Sequence, residues 1–375
     1  MVVTADGSVA VGTFDGLSTS SDGGCEWNVV GGDLADRYFI DIQPLPNDAS
    51  SLVALSSNGV SGGTFDVNLW LSNDNAGTWT AMGGALPEHF LGLTMGLSAS
   101  DGDRMYLTGR DSGESGTEEA LLGALYRSDD GGQEWTRFEV PGTDDGTVPY
   151  MGGVDPNDAD RIFVANLRQE EGQIVYFGLL LSEDGAETWT VVYTADVAVS
   201  GFALSPDGKT VAIGGEEVGL LVADATASPE EMTFEPVSSY RIGCLTWDTS
   251  GLYACTDNFI DDFAVGVSHD DGKTFEPLMK LSSPCGPPTE CASDTSIGVE
   301  CVPRWPEEQK ELNAFECDSP LAARGGQPSS GACGCDVVPP SRGAAAKKGL
   351  WRHALAVFVL MLGFVMLRHR QRLTP

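Results

Sequence analysis

Short apolar runs alternate with turns rich in Gly, Asp, Asn and Pro along the first 280 positions of the chain. In a clear example, an apolar run at 39–42 is followed by a Pro-Asn-Asp turn at 46–48 and a second apolar run at 52–55. The same layout recurs at 151–164 and at 202–213. Apolar runs bounded by turn residues predict short β-strands joined in hairpins. No long apolar helical pattern occurs before residue 345, so an all-β domain is predicted.

A phrase of the form Ser-x-Asp-x-Gly-x-x-Trp occurs five times in this domain, mostly at intervals of roughly fifty residues. Repetition at such a period indicates a repeat architecture. We expect each copy to form a hairpin turn: the Asp accepts backbone N–H groups, the Gly (Ala in two copies) takes a positive φ, and the aromatic ring anchors the hairpin on the core. The residues predicted to form these turns are Ser20, Asp22, Gly24 and Trp27, then Ser72, Asp74 and Trp79, then Ser128, Asp130, Gly132 and Trp135, then Ser182, Asp184 and Trp189, and finally Ser268, Asp270, Gly272 and Phe275.

The repeated phrase resembles the Asp-box, or BNR, repeat of sialidases, sortilin-type receptors, photosystem assembly factors and many bacterial surface proteins. In those families it joins the third and fourth strands of a β-propeller blade. The resemblance covers about three quarters of the chain, and it implies a β-propeller in which the repeated turns brace the blades. It does not imply an activity, because one fold serves many functions.

We predict six four-stranded blades, approximately at 1–36, 37–88, 89–145, 146–197, 198–239 and 240–280. The gap from Ser182 to Ser268 leaves room for a blade whose repeated phrase has decayed, around 222–234. The first ten residues have neither the basic region nor the apolar region of a secretory signal. Since the rest of the chain indicates export, we expect the domain at 1–280 to be truncated at its N-terminus, with six or seven blades in the full-length protein.

The charge of the chain is concentrated in the predicted propeller. Residues 1–280 contain 46 acidic and 11 basic residues, a net charge of −35, whereas residues 281–375 have a net charge of +1. So acidic a domain repels nucleic acid and suits an exported, soluble surface. We expect no cofactor. Structural calcium is an alternative, because Asp-rich loops such as the one at 257–262 offer oxygen ligands, although no complete EF-hand-type loop is present.

The cysteines fall into separate groups. Cys244 and Cys255 lie symmetrically about a predicted hairpin turn and should form a disulfide. A Pro-rich segment at 281–320 contains four further cysteines and is predicted to be a small disulfide module; three pairings are open, and zinc is the weaker alternative. Cys25 has no evident partner, so it is expected to be a packed thiol or to pair with a missing N-terminal residue. The four cysteines of the predicted module are Cys285, Cys291, Cys301 and Cys317.

The end of the chain has three parts that suggest export and anchoring. A linker rich in Gly, Pro, Ser and Ala at 321–349 contains Cys333 and Cys335, and an apolar stretch at 350–367 predicts a transmembrane helix. The basic residues Arg368, Arg370 and Arg372 in the tail at 368–375 place the C-terminus in the cytoplasm and the propeller outside. This order resembles the MYXO-CTERM sorting signal of myxobacterial surface proteins. The resemblance implies cleavage near the cysteines by a membrane sorting protease and transfer to the outer surface.

The sequence favours binding over catalysis. A sialidase needs three arginines around the substrate carboxylate, and the arginines of the propeller show no such arrangement; they include Arg37, Arg104, Arg110, Arg161, Arg168 and Arg241. We therefore expect a non-catalytic, surface-displayed propeller that binds a protein or glycan partner. The alternative is a secreted glycoside hydrolase, sialidase-like or xyloglucanase-like, with a carboxylate pair at the ring centre. An assembly factor for membrane complexes is a third hypothesis, which the sorting tail disfavours.

Overall fold

A computed structural model describes residues 1–14, 16–60, 63–112, 121–144, 146–170, 173–282, 284, 286, 291–295 and 297–311. The described chain forms six antiparallel four-stranded sheets, each built from strands that are consecutive in sequence. The first three sheets are blade 1, with β1 (Val2–Val3), β2 (Val9–Thr13), β3 (Gly16–Ser20) and β4 (Asn28–Val29); blade 2, with β5 (Phe39–Leu45), β6 (Asp48–Gly59), β7 (Phe65–Ser72) and β8 (Thr80–Met82); and blade 3, with β9 (Phe90–Leu97), β10 (Met105–Asp111), β11 (Leu122–Ser128) and β12 (Thr136–Glu139).

The remaining three sheets repeat this plan. They are blade 4, with β13 (Thr147–Asp155), β14 (Asp158–Glu170), β15 (Gln173–Ser182) and β16 (Thr190–Ala195); blade 5, with β17 (Gly201–Leu204), β18 (Thr210–Gly215), β19 (Gly219–Asp224) and β20 (Glu235–Ser238); and blade 6, with β21 (Ile242–Asp248), β22 (Gly251–Thr256), β23 (Val265–Ser268) and β24 (Glu276–Met279). The fold is a six-bladed β-propeller of four-stranded blades, as predicted, and blade 5 occupies the long gap between the fourth and fifth copies of the phrase.

Short helical elements accompany the sheets. A 3₁₀ turn at Gly32–Leu34 links blades 1 and 2, and helix α1 (Asn258–Asp261) joins β22 to β23. After blade 6 the chain forms a π-helical turn at Ile297–Cys301 and helix α2 (Val302–Glu311). No helix in these described ranges is long and apolar enough to cross a membrane. The predicted linker at 321–349, helix at 350–367 and basic tail at 368–375 lie outside the described residues.

The alternating strand directions give the propeller two distinct faces. The five repeated turns and the turns between the first and second strands of each blade lie on one face, which we call the turn face. The connections between blades, and those between second and third strands such as 257–264, lie on the other, which we call the loop face. A backbone hydrogen bond of 2.9 Å from Asn75 to Ser50 joins the two kinds of turn in blade 2.

The apolar core is divided into clusters between neighbouring blades. Five clusters of buried residues fill the interfaces between blades 1 and 2, 2 and 3, 3 and 4, 4 and 5, and 5 and 6. Among the described residues, none of these clusters joins blade 6 to blade 1. The ring therefore has a seam between its last and first blades, where burial of apolar side chains contributes least.

Two glycines allow neighbouring blades to approach closely. A Cβ on Gly12 in β2 would lie 2.7 Å from Cβ of Phe39, the first residue of β5. Gly214 in β18 stands in the same relation to Ile242, the first residue of β21, with a separation of 2.7 Å. Since Cβ atoms do not pack this closely, glycine at these positions lets the next innermost strand lie against the second strand of the preceding blade.

Candidate functional site

The five repeated turns share one hydrogen-bond pattern. In each copy the Ser hydroxyl donates to the Asp carboxylate at 2.8–2.9 Å. The same hydroxyl accepts a backbone N–H at 2.8–3.0 Å from the residue at the Gly position. The Asp carboxylate accepts the backbone N–H of the residue two positions after the Gly position, at 2.8–3.0 Å. All five turns join the third and fourth strands of a blade, so these polar residues hold a backbone corner and leave little capacity for a ligand.

The charge of these aspartates is stabilised by the turn itself. Backbone and side-chain hydrogen bonds from Thr274 lower the pKa of Asp270 to about 2. The backbone N–H of Glu134 is the main cause that lowers the pKa of Asp130. Hydrogen bonds to the ionised form favour that form, so these carboxylates are unsuited to donate a proton in catalysis near neutral pH.

The aromatic residues of four of the five repeated turns pack toward the preceding blade. Trp79, Trp135, Trp189 and Phe275 each contact the cluster between their own blade and the one before it. Trp27, whose preceding neighbour in the ring is blade 6, belongs to none of the five clusters. Trp27 is half-buried, as Trp79, Trp135 and Trp189 are, but it contacts none of the described clusters of buried residues.

Two disulfides join described cysteines to each other. Cys244 and Cys255 are directly paired in β21 and β22 and form the predicted bond, with a Cα–Cα distance of 4.9 Å. The prediction for Cys25 is wrong: it is bonded to Cys291, 266 positions later, with a Cα–Cα distance of 5.1 Å. The ring brings the two ends of the domain together, which no local pattern reveals.

This pairing also corrects the predicted module at 281–320. Cys291 bonds to the propeller, so the four cysteines do not pair only among themselves. Cys301 is buried and disulfide-bonded as well. Cys285, Cys317, Cys333 and Cys335 lie outside the described residues, as do Arg368, Arg370 and Arg372.

An acidic side chain that the sequence did not single out lies near the ring axis. Asp41 is on β5, the innermost strand of blade 2, at a β-bulge between Phe39 and Asp41. Its carboxylate accepts the backbone N–H of Ile42 at 2.8 Å, the side-chain amide of Gln43 at 3.0 Å and the backbone N–H of Met95 at 3.0 Å. Gln43 also donates to the carbonyl of Met95 at 2.8 Å. Together the two side chains satisfy the free backbone edge of β9 in the next blade.

Burial raises the pKa of the Asp41 carboxyl, although these three hydrogen bonds and the nearby α-amino group act in the opposite direction. Among the described carboxyl groups whose pKa departs clearly from its ordinary value, Asp41 is the one whose pKa rises. A lone Asp in the apolar run at 39–42 was the available signal in the sequence.

A similar contact joins the innermost strands of the next two blades. The backbone N–H of Met151 on β13 donates to the hydroxyl of Thr94 on β9 at 2.8 Å.

The arginines considered for a carboxylate-binding triad are distributed over the two faces. On the loop face, Arg37 pairs with Asp66 at 3.1 Å, and Arg168 and Arg241 pair with acidic residues of blades 4 to 6. Arg104 and Arg161 lie on the turn face, where they pair with Asp160 and Glu183. Arg110 donates to the carbonyl of Leu121 at 3.1 Å and 2.7 Å. Each guanidinium thus serves a separate local contact.

A groove of about 450 Å³ lies between blades 1 and 2. Its floor includes the buried side chains of Leu34 and Trp70, and the partly exposed Trp79 forms one wall. Exposed polar groups at the rim come from Asp33 and Thr80. The indole N–H groups of Trp70 and Trp79 already donate within the protein, at 2.9 Å and 3.2 Å. The groove therefore offers aromatic surface with a few polar groups, as small-molecule sites do.

The described residues hold no group of three or more His, Cys, Asp or Glu side chains that could bind a metal ion. The Asp-rich connection at 257–262 is engaged locally: Asp257 caps α1, and Asp261 accepts the backbone N–H of Arg241 at 2.9 Å.

The architecture defines the chain as a six-bladed β-propeller, and comparisons with known proteins agree at this level. No protein-family model matches the chain, and no curated protein matches its sequence. The structure of an ancestral GH74 enzyme, a glycoside hydrolase, is similar with a TM-score of 0.53 and 15% identity over 73% of this chain. The chain spans 39% of that enzyme's length. At this identity the similarity shows the fold alone.

Two other solved structures are less similar, with TM-scores of 0.41 and 0.40. An α-L-arabinanase of Penicillium chrysogenum, solved with arabinobiose, has a TM-score of 0.41 and 12% identity over 68% of this chain and 87% of its own. Ycf48 bound to a D1 peptide has a TM-score of 0.40 and 11% identity over 72% of this chain and 68% of its own.

Proposed function

We propose that this protein is a non-catalytic Asp-box β-propeller that is displayed on the cell surface and binds a glycan in the groove between blades 1 and 2. The groove carries the proposal. It is lined by the half-buried Trp79, by buried apolar side chains and by the exposed residues Asp33 and Thr80. A sugar ring has an apolar C–H face and equatorial hydroxyl groups, so an indole face and a few hydrogen-bonding groups suit both of its surfaces.

The hydrogen bonds that Asp41 accepts support a binding role over hydrolysis. A glycosidase needs two carboxyl groups about 5–10 Å apart, facing the substrate. Asp41 is the acidic residue with a raised pKa near the axis, and both of its oxygens accept hydrogen bonds from the surrounding strands. A group that caps a strand edge in this way has to break those bonds before it can act on a substrate.

Two observations support export. Disulfides persist in oxidising compartments, and two of them hold described parts of the propeller together. The C-terminal sequence supports the same conclusion: Cys333 and Cys335, the apolar stretch at 350–367 and the final arginines follow the order of a MYXO-CTERM sorting signal. We place the propeller outside the cell, tethered first by that helix and released to the surface by a sorting protease.

A glycan array probed with the exported protein tests the binding role, and calorimetry then measures affinity for the glycans that bind. Asp33→Ala and Thr80→Ala should each weaken binding about tenfold if they lose one hydrogen bond, worth roughly 1.4 kcal/mol. Glu88→Ala is the matched control, because Glu88 is exposed on the next inter-blade connection and does not line the groove. Equal affinity of all four proteins would contradict the proposal.

A glycoside hydrolase is the second candidate, and the raised pKa of Asp41 is the observation that favours it. A carboxyl group that stays protonated above its usual range can serve as a general acid. Incubation of the wild-type protein and of Asp41→Asn with a panel of glycosides separates the two functions. Sugar release by the wild type that is lost in Asp41→Asn would establish the hydrolase; no release by either protein favours binding.

A further inference from the structure

We propose that the Cys25–Cys291 disulfide is a redox-sensitive latch that closes the propeller ring at the seam between blade 6 and blade 1. This inference does not depend on the proposed ligand. It concerns how the ring is held shut, and four independent features of the described residues carry it.

The first feature is the absence of strand exchange. Every described sheet consists of four strands that are consecutive in sequence, so no strand from one end of the domain completes a sheet at the other end. A propeller closed by a shared strand gains a ladder of backbone hydrogen bonds between its termini. In the described part of the chain, blades 1 and 6 each form a sheet from their own four strands, and no described strand is shared between them.

The second feature is the distribution of the core. Five buried apolar clusters serve the six interfaces of the ring, and the described interface between blades 6 and 1 has none. At the edges of blade 1, Val3 and Val29 are 56% and 60% exposed, whereas Val9, which pairs with Val3, is buried. On β21, the innermost strand of blade 6, Gly243, Thr246 and Asp248 are exposed.

The third feature is the position of Cys25 in the repeated turn. It lies between Gly24 and Glu26, where the other four copies have Gly77, Gln133, Glu187 and Lys273. Cysteine therefore occurs at this position in blade 1 alone among the five copies, and blade 1 is the blade that meets blade 6 at the seam. Its aromatic residue, Trp27, is also the one that joins no described core cluster.

The fourth feature is the course of the chain after blade 6. The backbone N–H of Leu281 donates to Asn258 at 2.9 Å on the loop face of blade 6. Cys291, ten positions later, is bonded to Cys25 on the turn face of blade 1. The backbone N–H of Ile297 donates to the carbonyl of Cys25 at 3.2 Å, and Ile297 is buried. Among the described residues, Leu281 is thus held on blade 6, and Cys291 and Ile297 are held on blade 1 by a disulfide and a backbone hydrogen bond.

Opening the latch is an ordinary thiol–disulfide exchange. A thiolate of a dithiol reductant attacks the sulfur of Cys291, a residue that is more exposed than Cys25, and releases the Cys25 thiolate. The second thiol of the reductant then displaces Cys291 from the mixed disulfide. Two electrons and two protons pass to the protein, which ends with two thiols, and the reductant ends as a cyclic disulfide. Blades 1 and 6 then separate while blades 2 to 5 keep their cores.

The latch gives the ring a dependence on compartment. Disulfides form in oxidising surroundings and are rare in reducing ones. The ring would close only after the chain reaches an oxidising compartment. A reducing environment would reopen the ring at the seam between blades 6 and 1 without unfolding the whole domain.

Hydrogen exchange measured by mass spectrometry on the full chain tests the latch. In the variant C25A/C291A, exchange should be at least about tenfold faster than in the wild type in β2 and β3 of blade 1, because blade 1 is then held on one side alone and its sheet opens locally more often. Amides of β10 and β14, in blades 3 and 4, should be unchanged. C244A/C255A is the control: it removes a disulfide within one blade, so exchange in blade 1 should equal that of the wild type.

Unchanged exchange in blade 1 of C25A/C291A would overturn the proposal, and so would a uniform increase in all blades. If C25A/C291A does not fold on expression, the measurement is made on folded C244A/C255A/C301A protein before and after treatment with dithiothreitol, so that Cys25–Cys291 is the disulfide of described cysteines that is reduced. Faster exchange confined to the seam after reduction supports the latch, whereas exchange that is unchanged, or that increases in every blade, excludes it.

Discussion

The backbone N–H of Met95 donates a 3.0 Å hydrogen bond to the carboxylate of Asp41, 54 positions earlier on the innermost strand of the preceding blade. The innermost strand of a blade has one edge without a partner strand, and its free N–H and C=O groups need acceptors and donors. The carboxylate of Asp41 accepts the N–H of Met95, and the side-chain amide of Gln43 donates to its carbonyl. The contact joins two blades, and it leaves a carboxyl group in surroundings that disfavour its charge.

The protonation of Asp41 should make stability depend on pH. Burial raises the pKa of this carboxyl above its ordinary value of 3.8. The folded state therefore keeps the proton to a higher pH than the unfolded state does. The resulting stabilisation is present below pH 3.8 and is lost as the pH rises through the folded pKa. Relative to Asp41→Asn, the wild type should thus lose free energy of unfolding over this window, as measured by denaturant titration at a series of pH values.

Asp207→Asn is the control with the opposite sign. The side chain of Lys209 is the main cause that lowers the pKa of Asp207 to about 2. Its contribution is present above pH 3.8 and is lost as the pH falls through about 2. If the difference between the wild type and Asp41→Asn has the same sign of pH dependence as this control, the assignment for Asp41 is wrong.

A buried guanidinium on the turn face should contribute more to stability than an exposed one on the loop face. Arg161 forms an ion pair with Glu183 in its own blade and donates to the carbonyl of Ala227 in blade 5 at 2.7 Å. Its side chain is 9% exposed. Arg161→Ala should lower the free energy of unfolding by about 1–3 kcal/mol, because it leaves polar groups between two blades without a partner.

Arg168→Ala is the comparison, since Arg168 is 45% exposed and pairs with Asp144 and Glu170 at 3.6 Å and 3.1 Å. Exposed pairs are screened by solvent, so this change should cost no more than about 1 kcal/mol. Urea denaturation of both variants measures the difference. A loss for Arg168→Ala equal to that for Arg161→Ala would show that burial does not set the contribution.

How much of this structure the sequence could predict follows from the range of each interaction. The repeated turns are local: Ser128 and Asp130 bond to groups within four residues, so their spacing alone indicated the corner. The Cys244–Cys255 bond was predictable for the same reason, because both residues belong to one hairpin. The partner of Cys25 depends on where the two ends of the ring meet, 266 positions apart. Asp41 likewise takes its role from the next blade, which an isolated strand sequence cannot reveal.

The serine of a repeated turn should contribute more to the free energy of unfolding than the threonine that follows it. Ser182 is 1% exposed, and its hydroxyl accepts the backbone N–H of the buried Ala186 at 2.9 Å. Ser182→Ala leaves this N–H without an acceptor and should cost about 1–3 kcal/mol. Thr188→Val removes one exposed hydrogen bond to Asp184 and should cost less than about 1 kcal/mol. Denaturant titration gives both values, and a larger loss for Thr188→Val would contradict the assignment.

Three copies of the repeated turn provide a graded test of its backbone conformation. The residue at the Gly position has a positive φ throughout, including +86° at Gly132, +82° at Ala186 and +84° at Gly272. A side chain in this region costs about 1–2 kcal/mol. A Cβ on Gly132 would lie 3.4 Å from its nearest neighbour, Trp135, which is ordinary contact. Gly132→Ala should therefore cost only the backbone strain, about 1 kcal/mol.

We expect a larger loss of stability than for Gly132→Ala at Gly272, and a smaller one at Ala186. At Gly272 a Cβ would lie 2.0 Å from the side chain of Leu220, so Gly272→Ala adds about 1–3 kcal/mol of overpacking to the strain. Ala186→Gly relieves the strain but removes a buried methyl group worth about 0.8 kcal/mol, so the two effects nearly cancel. Thermal or urea denaturation should rank the losses as Gly272→Ala, then Gly132→Ala, then Ala186→Gly. If Gly272→Ala is no more destabilising than Gly132→Ala, Leu220 does not restrict this turn, and if Ala186→Gly is the worst of the three, the positive φ carries no strain.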